Sequence, residues 1–194
     1  MKTNVTPVRL SLKIKVTDMK MPGKTLSIIL AVLLIHSCGK KDKNSRSVAI
    51  IGTPAEQQSI FNKLLTVSNN SIPAEQLPDS LAFLVLPVQA SCPSCRKKTI
   101  DSIAAHQNDL LANHFIIISA NGGRKTINSF FREVNKELPD MGNKLFLDSA
   151  NNGYKYDLFK DKPTMYYTYQ KKAYKKVESI PMTVREDLRE FFSG

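Results

Sequence analysis

The feature that most constrains the fold is an almost wholly apolar run, Leu81–Val88, followed closely by Cys92-Pro93-Ser94-Cys95. Such a run predicts a strand buried on both faces, as in a mostly parallel sheet covered by helices. Pro93 suits the first turn of a helix, because the N–H that proline lacks would have no partner there. We therefore predict that the two cysteines lie where a central strand passes into a helix.

Two thiols separated by two residues at the start of a helix suit thiol–disulfide exchange. The unpaired backbone N–H groups and the dipole at a helix N-terminus stabilise the thiolate form of the first cysteine. Arg96, Lys97 and Lys98 follow directly, and their positive charge acts in the same direction. A Cu(I) carrier using both thiolates is an alternative, since soft ligands select Cu(I). No Met or His lies nearby in the sequence to complete such a copper site.

The third cysteine, Cys38, ends a segment that resembles a bacterial lipoprotein signal. Leu26–Ile35 consists only of apolar or small residues and follows Lys20 and Lys24. It is shorter than the roughly 20 residues of a spanning helix and fits the core of a signal peptide. Ile35-His36-Ser37-Cys38 then resembles a lipobox in which Cys38 receives lipid. A buried apolar helix with a chance cysteine is the alternative interpretation.

These features divide the chain into three predicted parts. Residues 1–37 form a signal peptide, and translation is expected to begin at Met19 or Met21 because residues 1–18 add nothing that a signal needs. Residues 38–46 form a lipidated, polar tether, and residues 47–194 form one domain. An acylated Cys38 could not pair with another thiol, so Cys92–Cys95 would be the only disulfide, in an envelope compartment where disulfides persist.

The charge of the chain indicates its surroundings more than its chemistry. The net charge is +11, and removing the six basic residues and one acidic residue of positions 1–37 leaves +6. That value suits attraction to an anionic membrane surface or to acidic partners. We expect no nucleic-acid partner, no cofactor and no metal. His106 and His114 are interpreted as a helix-surface and a strand-start residue, and Asn121-Gly122-Gly123 as a turn without phosphate-loop spacing.

The remaining patterns alternate between strand and helix. We predict strands at Ser47–Ile51, Leu81–Val88, Phe115–Ser119 and Lys144–Leu147, and a hairpin at Thr164–Gln170 and Ala173–Glu178. We predict helices at Pro54–Val67, Pro93–Leu111, Lys125–Leu138 and Thr183–Phe192. This alternation indicates the α/β class. Lysines and tyrosines interleave along the hairpin, which is typical of a solvated sheet edge guarded by lysine or, alternatively, of a partner-contact or membrane-contact face.

From about Ser47 to Phe192 the chain resembles the thioredoxin-like superfamily, in particular the membrane-anchored thioredoxin-like lipoproteins of bacterial envelopes. The resemblance depends on element order, on the cysteine pair after the central strand, and on Lys162-Pro163-Thr164 before the hairpin. Lys144–Asp161 resembles the extra segment of the peroxiredoxin and cytochrome-maturation branches. The resemblance of the domain as a whole implies a thioredoxin-like three-layer sandwich with a central mixed sheet. It also implies a cis Pro163 beside the thiols, with Lys162 and Pro163 binding an extended substrate.

Two departures from that family bear on function. Ser91 stands where an aromatic residue often precedes the first cysteine, and Leu81–Val88 contains no acid to move the proton of Cys95. The resemblance implies a thiol–disulfide oxidoreductase with Cys92 and Cys95 as catalytic residues. Its partners would be cysteine-containing envelope proteins or a membrane electron donor. The alternative is a lipoprotein that uses the fold as a binding module, with a structural or vestigial disulfide.

The predicted location is the cell envelope, with the lipid on Cys38 as the membrane anchor and the domain facing the periplasm. Gly39, rather than Asp, follows Cys38. The absence of that acidic residue favours the outer membrane.

Overall fold

A six-stranded mixed sheet organises residues 47–194, the part of the chain that the computed structural model describes. The strands are β1 (Ser47–Ile50), β2 (Leu81–Pro87), β3 (His114–Ser119), β4 (Leu145–Asp148), β5 (Thr164–Tyr169) and β6 (Lys172–Glu178). The α-helices are α1 (Pro54–Val67), α2 (Pro93–Ala105), α3 (Gly123–Arg132), α4 (Asn152–Lys155) and α5 (Val184–Ser193). A short 3-10 helix, Gly142–Lys144, leads into β4.

The strand order is β1-β6-β5-β2-β3-β4, so β2 lies inside the sheet as its apolar sequence predicts. β2, β3 and β4 run parallel, whereas β5, β6 and β1 pair antiparallel with their neighbours. The last residues of the parallel strands, Pro87, Ser119 and Asp148, are in register. We call this end of the sheet the carboxyl edge. The predicted α/β class with a mixed sheet is confirmed.

The alternating side chains of β2 contribute to two hydrophobic cores, one on each face of the sheet. Leu84 and Leu86 pack with the apolar residues of α2, α3 and α5. Phe83 and Val85 pack on the other face with α1 and with Phe159. All seven residues of β2 are buried, and burying a large apolar side chain contributes about 1.5–3 kcal/mol. Burial on both faces explains why this strand has no polar alternation in its sequence.

Two helices end earlier than their apolar periodicity predicts. α2 stops at Ala105 instead of Leu111, and His106 caps it while stacking on Phe192 with ring centroids 4.6 Å apart. α3 begins at Gly123 and stops at Arg132 instead of running over Lys125–Leu138.

The early end of α3 follows from a left-handed asparagine. Asn135 adopts a φ of 57°. Its N–H donates to the carbonyl of Arg132 at 2.9 Å, and the N–H of Lys136 donates to the carbonyl of Phe131 at 3.0 Å. This pair of bonds is a Schellman motif, which satisfies the last carbonyls of a helix. Asparagine tolerates the left-handed region better than most residues, so it can stop a helix whose apolar stripe continues.

For Lys175 and Lys176, the interpretation of the hairpin lysines as guards of an open sheet edge is wrong, because both residues pair with β1. β1 pairs with β6, and β1 is therefore the edge strand on that side. The Lys175 ammonium lies 2.9 Å from the Glu190 carboxylate and 4.5 Å from the centre of the Tyr167 ring. Lys176 lies 2.7 Å from Glu178. Lys175 and Lys176 thus form ion pairs and cation–π contacts within the domain.

His114 should make the stability of the fold fall at acidic pH. It begins β3, is 5% exposed and stacks on Phe191. Burial, and to a smaller extent the charge of Lys144, lowers the pKa of His114 below its ordinary value of 6.5. The unfolded chain therefore binds more protons, so this stability is complete above about pH 6.5 and is lost as the pH falls through the lowered folded-state pKa.

Urea unfolding between about pH 8 and pH 5 measures this effect, since histidine changes charge in that range. His114→Gln should flatten the pH dependence of the free energy of unfolding, and His106→Gln serves as the matched histidine substitution. An unchanged pH dependence in His114→Gln would contradict the prediction.

Candidate active site

Cys92 and Cys95 lie at the carboxyl edge, at the start of α2. Cys92 is the N-cap residue, with an extended backbone (φ −54°, ψ 141°), and Pro93 occupies the first helical turn as predicted. The Cα atoms of the two cysteines are 5.2 Å apart and their Sγ atoms lie at disulfide-bonding separation. The predicted pairing of these two cysteines is therefore sterically satisfied.

The surroundings of the two sulfurs differ. Cys92 is half-buried, whereas Cys95 is 1% exposed. The backbone N–H of Cys95 donates to Sγ of Cys92 at 3.1 Å, and Oγ of Ser94 lies 3.4 Å from the same sulfur. Donors at a helix N-terminus favour a negatively charged acceptor. After reduction, Cys92 would be both the more accessible sulfur and the one better placed to carry the charge.

Arg96 fixes α2 against the end of β2 and against α3. Its Nη1 donates to the carbonyl of Val88 at 3.0 Å, and its guanidinium lies 4.4 Å from the centre of the Phe130 ring. Its Nη2 lies 3.5 Å from the carboxylate of Glu133, which offsets part of its charge. Lys98 similarly donates to the carbonyl of Pro181 at 2.9 Å. Two of the three basic residues after the motif thus hold the helix in place.

Pro163 lies at the carboxyl edge, but its peptide bond is trans. Thr164 pairs with Val85, so Pro163 directly precedes the part of β5 that pairs with β2. No cis peptide bond occurs among residues 47–194, and the expectation of a cis Pro163 is wrong. At the start of a strand the missing N–H of a trans proline costs no ladder hydrogen bond.

The expected binding of an extended substrate by Lys162 and Pro163 depended on a cis Pro163, so the trans bond removes the reason for expecting it. The carbonyl of Lys162 already accepts the Thr164 hydroxyl at 3.0 Å, and that of Pro163 accepts the N–H of Ser179 at 2.9 Å. These carbonyls are engaged within the domain instead of standing free for an extended peptide. A substrate-binding role of Lys162 and Pro163 stays a prediction without a geometric basis.

A buried carboxylate at the carboxyl edge escaped the sequence reasoning. Asp148 ends β4, two strands away from β2, and is 4% exposed. Its oxygens accept the Ser119 hydroxyl at 2.6 Å and the N–H groups of Asn152 and Gly153 at 2.8 and 2.7 Å. Asp148 thereby anchors α4 to the sheet. The sequence signal was present, because an acid at the end of an apolar strand often caps the turn that follows.

Within residues 47–194, no group of three His, Cys, Asp or Glu side chains is arranged to hold a metal ion. In the same part of the chain, every helix falls short of the length and apolarity that crossing a membrane requires. His106 and His114 lie at the end of α2 and the start of β3, away from the carboxyl edge.

The structure thus brings Cys92 and Cys95 together, whereas Cys38 lies outside the described residues. No protein-family model matches the chain, and no curated protein shows significant similarity to it. The functional interpretation therefore depends on the chemistry of the thiol pair and on its place in the fold.

Proposed function

We propose that the protein is a membrane-tethered thiol–disulfide oxidoreductase that acts through Cys92 and Cys95. The observation that carries this proposal is the difference in exposure between two paired sulfurs at one helix N-terminus. A half-buried Cys92 that accepts an N–H hydrogen bond suits a nucleophile, and a Cys95 that is 1% exposed suits an internal resolving thiol. A purely structural bond would need neither the accessible sulfur nor the donors around it.

The strand arrangement supports a thioredoxin-like domain over residues 47–194. Four neighbouring strands, β6-β5-β2-β3, place the thiol-bearing helix α2 directly after the central β2 and the hairpin β5-β6 beside it. That arrangement is the one the family resemblance implies. In this proposal β1 and β4 extend the sheet at its two edges, and α4 belongs to the extra segment before the hairpin.

The exchange itself needs only the two cysteines. The thiolate of Cys92 attacks one sulfur of a substrate disulfide, forms a mixed disulfide and expels the other substrate sulfur as a thiolate. Cys95 then loses its proton and attacks the Cys92 sulfur, which forms the Cys92–Cys95 bond and releases the second substrate thiolate. The substrate gains two electrons and, from the two protein thiols, two protons. The reverse sequence oxidises a substrate dithiol.

The partners proposed for this chemistry are cysteine-containing proteins of the cell envelope or a membrane electron donor. A lipid on Cys38 would hold the domain at the membrane surface on the periplasmic side, with the outer membrane favoured by Gly39. The proposed exchange uses no organic cofactor, because the two cysteines carry the electrons.

The reduction potential of the Cys92–Cys95 pair tests the proposal. The full chain carrying Cys38→Ala, in which only these two thiols remain, would be equilibrated in graded dithiol buffers and alkylated, and the reduced fraction measured by mass. We expect a potential above about −300 mV, since structural disulfides of exported proteins typically fall below that value. A lower potential, or a pair that resists reduction, would favour the binding-module alternative.

A further inference from the structure

A small cavity lies beside the loop that leads from β2 to Cys92. Its volume is about 120 Å³, and its walls include Gln89 and Ala90 from that loop and Tyr154 and Phe159 from the other side. Phe159 is 2% exposed and belongs to the core, whereas Tyr154 is 58% exposed and forms the outer lip. The two aromatic ring centroids are 6.3 Å apart. The cavity is therefore mainly apolar, and it opens next to the residues that precede the nucleophile.

The walls of this cavity are fixed by hydrogen bonds and close packing. The carboxylate of Asp148 holds the start of α4, which carries Tyr154. Gly153 lets Phe159 approach, because a Cβ at this position would lie 2.7 Å from Cε1 of that ring. On the opposite wall, Oε1 of Gln89 accepts the N–H of Asn121 at 2.7 Å. A cavity held open in this way can receive a ligand without first reorganising.

The volume limits what the cavity can hold. Sites for cofactors and drug-sized ligands are commonly about 300–1,000 Å³, several times larger than this one. An apolar cavity of about 150 Å³, in contrast, accommodates a benzene molecule. The size and lining of the cavity therefore suit one apolar side chain of a larger molecule.

We propose, on the basis of the exchange function above, that this cavity receives an apolar side chain of the substrate polypeptide. The substrate must bring a sulfur atom to Cys92, and an extended chain advances about 3.3 Å per residue. Ala90 precedes Cys92 by two residues, so a substrate residue a few positions from the substrate cysteine would reach the cavity between Ala90 and Tyr154. The cavity selects substrates whose cysteine is followed or preceded at short distance by a leucine-sized residue. Tyr154 is a specificity-determining residue that contacts this side chain.

Peptide disulfides of defined sequence test this selectivity. Each probe is a short peptide whose single cysteine is linked to 2-nitro-5-thiobenzoate, with leucine or serine two positions before or after the cysteine. The reduced full chain carrying Cys38→Ala releases the coloured thiolate as it reduces the probe. We expect the better leucine peptide to react about tenfold faster than its serine counterpart, the lower end of what one apolar pocket discriminates.

Tyr154→Ala should reduce that preference to about twofold or less by removing the lip. Tyr169→Ala is the matched control, because Tyr169 is 54% exposed and lies at the opposite end of the sheet, where Thr168 pairs with Leu81. This variant should keep the full preference. Both substitutions affect exposed side chains, so the fold should tolerate them.

The small disulfide dithiobis(nitrobenzoate), which carries no peptide, distinguishes a failure of the cavity proposal from a failure of the exchange function. If the protein reduces this small disulfide but treats leucine and serine peptides alike, or if Tyr154→Ala keeps the preference, the cavity proposal is overturned and the exchange function stands. If the protein reduces neither the small disulfide nor any peptide, the exchange function fails and the cavity proposal fails with it.

Discussion

Replacing Cys95 with serine should make the protein accumulate covalent complexes with its substrates, whereas replacing Cys92 with serine should leave almost none. In Cys95→Ser the Cys92 thiolate still attacks a substrate disulfide, but no second thiol remains to break the mixed disulfide. In Cys92→Ser the remaining sulfur is 1% exposed, so it reaches substrates poorly. We expect at least a tenfold difference in trapped complexes between the two variants, since access governs the attack.

The complexes would be measured by affinity purification after acid quenching and alkylation, followed by electrophoresis without and with reductant. Ser94→Ala is a suitable control, because Ser94 lies between the cysteines and its hydroxyl is 3.4 Å from Cys92 Sγ, yet the substitution leaves both thiols in place. It should trap no more than the wild-type protein. Equal trapping by both cysteine variants, or trapping by neither, would count against exchange chemistry at this pair.

The central part of the fold is predictable because its signals are local and redundant. The run Leu81–Val88 is apolar at almost every position, and its short length between turn residues favours a strand covered on both faces, which buries these side chains. Pro93 marks the start of α2 within the same few residues. The place of the thiols at a strand-to-helix junction follows from these two signals, without any knowledge of partners distant in the chain.

The geometry around Pro163 shows where such reasoning fails. The expectation of a cis bond came from a family resemblance, and nothing in Lys162-Pro163-Thr164 itself specifies the isomer. The observed trans path accompanies two hydrogen bonds, one from the Thr164 hydroxyl and one from the N–H of Ser179. Ser179 follows β6, and its approach to Pro163 depends on the register of the hairpin. A contact set by strand register is not encoded in a three-residue motif.

The cavity between Ala90 and Tyr154 could not be predicted from the sequence for a similar reason. Ala90 and Tyr154 are far apart in the sequence, and they meet because β2, β3 and β4 end in register and Asp148 then turns the chain into α4. α4 has only four residues, too few to show a helical periodicity. Sequence patterns identify the position of the thiol pair, whereas the cavity that we propose to select substrates depends on tertiary packing.

Replacing Cys38 with alanine should abolish lipid attachment and move most of the protein from the membrane fraction to the soluble fraction. The motivation is the apolar run Leu26–Ile35 that ends at Ile35-His36-Ser37-Cys38. Burying acyl chains contributes about 0.8 kcal/mol per CH₂ group, so the loss of acylation removes a large membrane affinity. Metabolic labelling with a fatty-acid probe, followed by membrane fractionation, measures both effects in the same cells.

Cys92→Ala is the matched control for this experiment, because it removes a different cysteine and should leave both the label and the membrane association intact. Separation of inner and outer membranes would place the wild-type protein, and Gly39 after Cys38 favours the outer one. A wild-type protein that carries no label and still fractionates with membranes would contradict the lipoprotein interpretation. It would also return Cys38 to the set of thiols available for pairing, so the assignment of Cys92–Cys95 as the only disulfide would then need the alkylation pattern of all three cysteines.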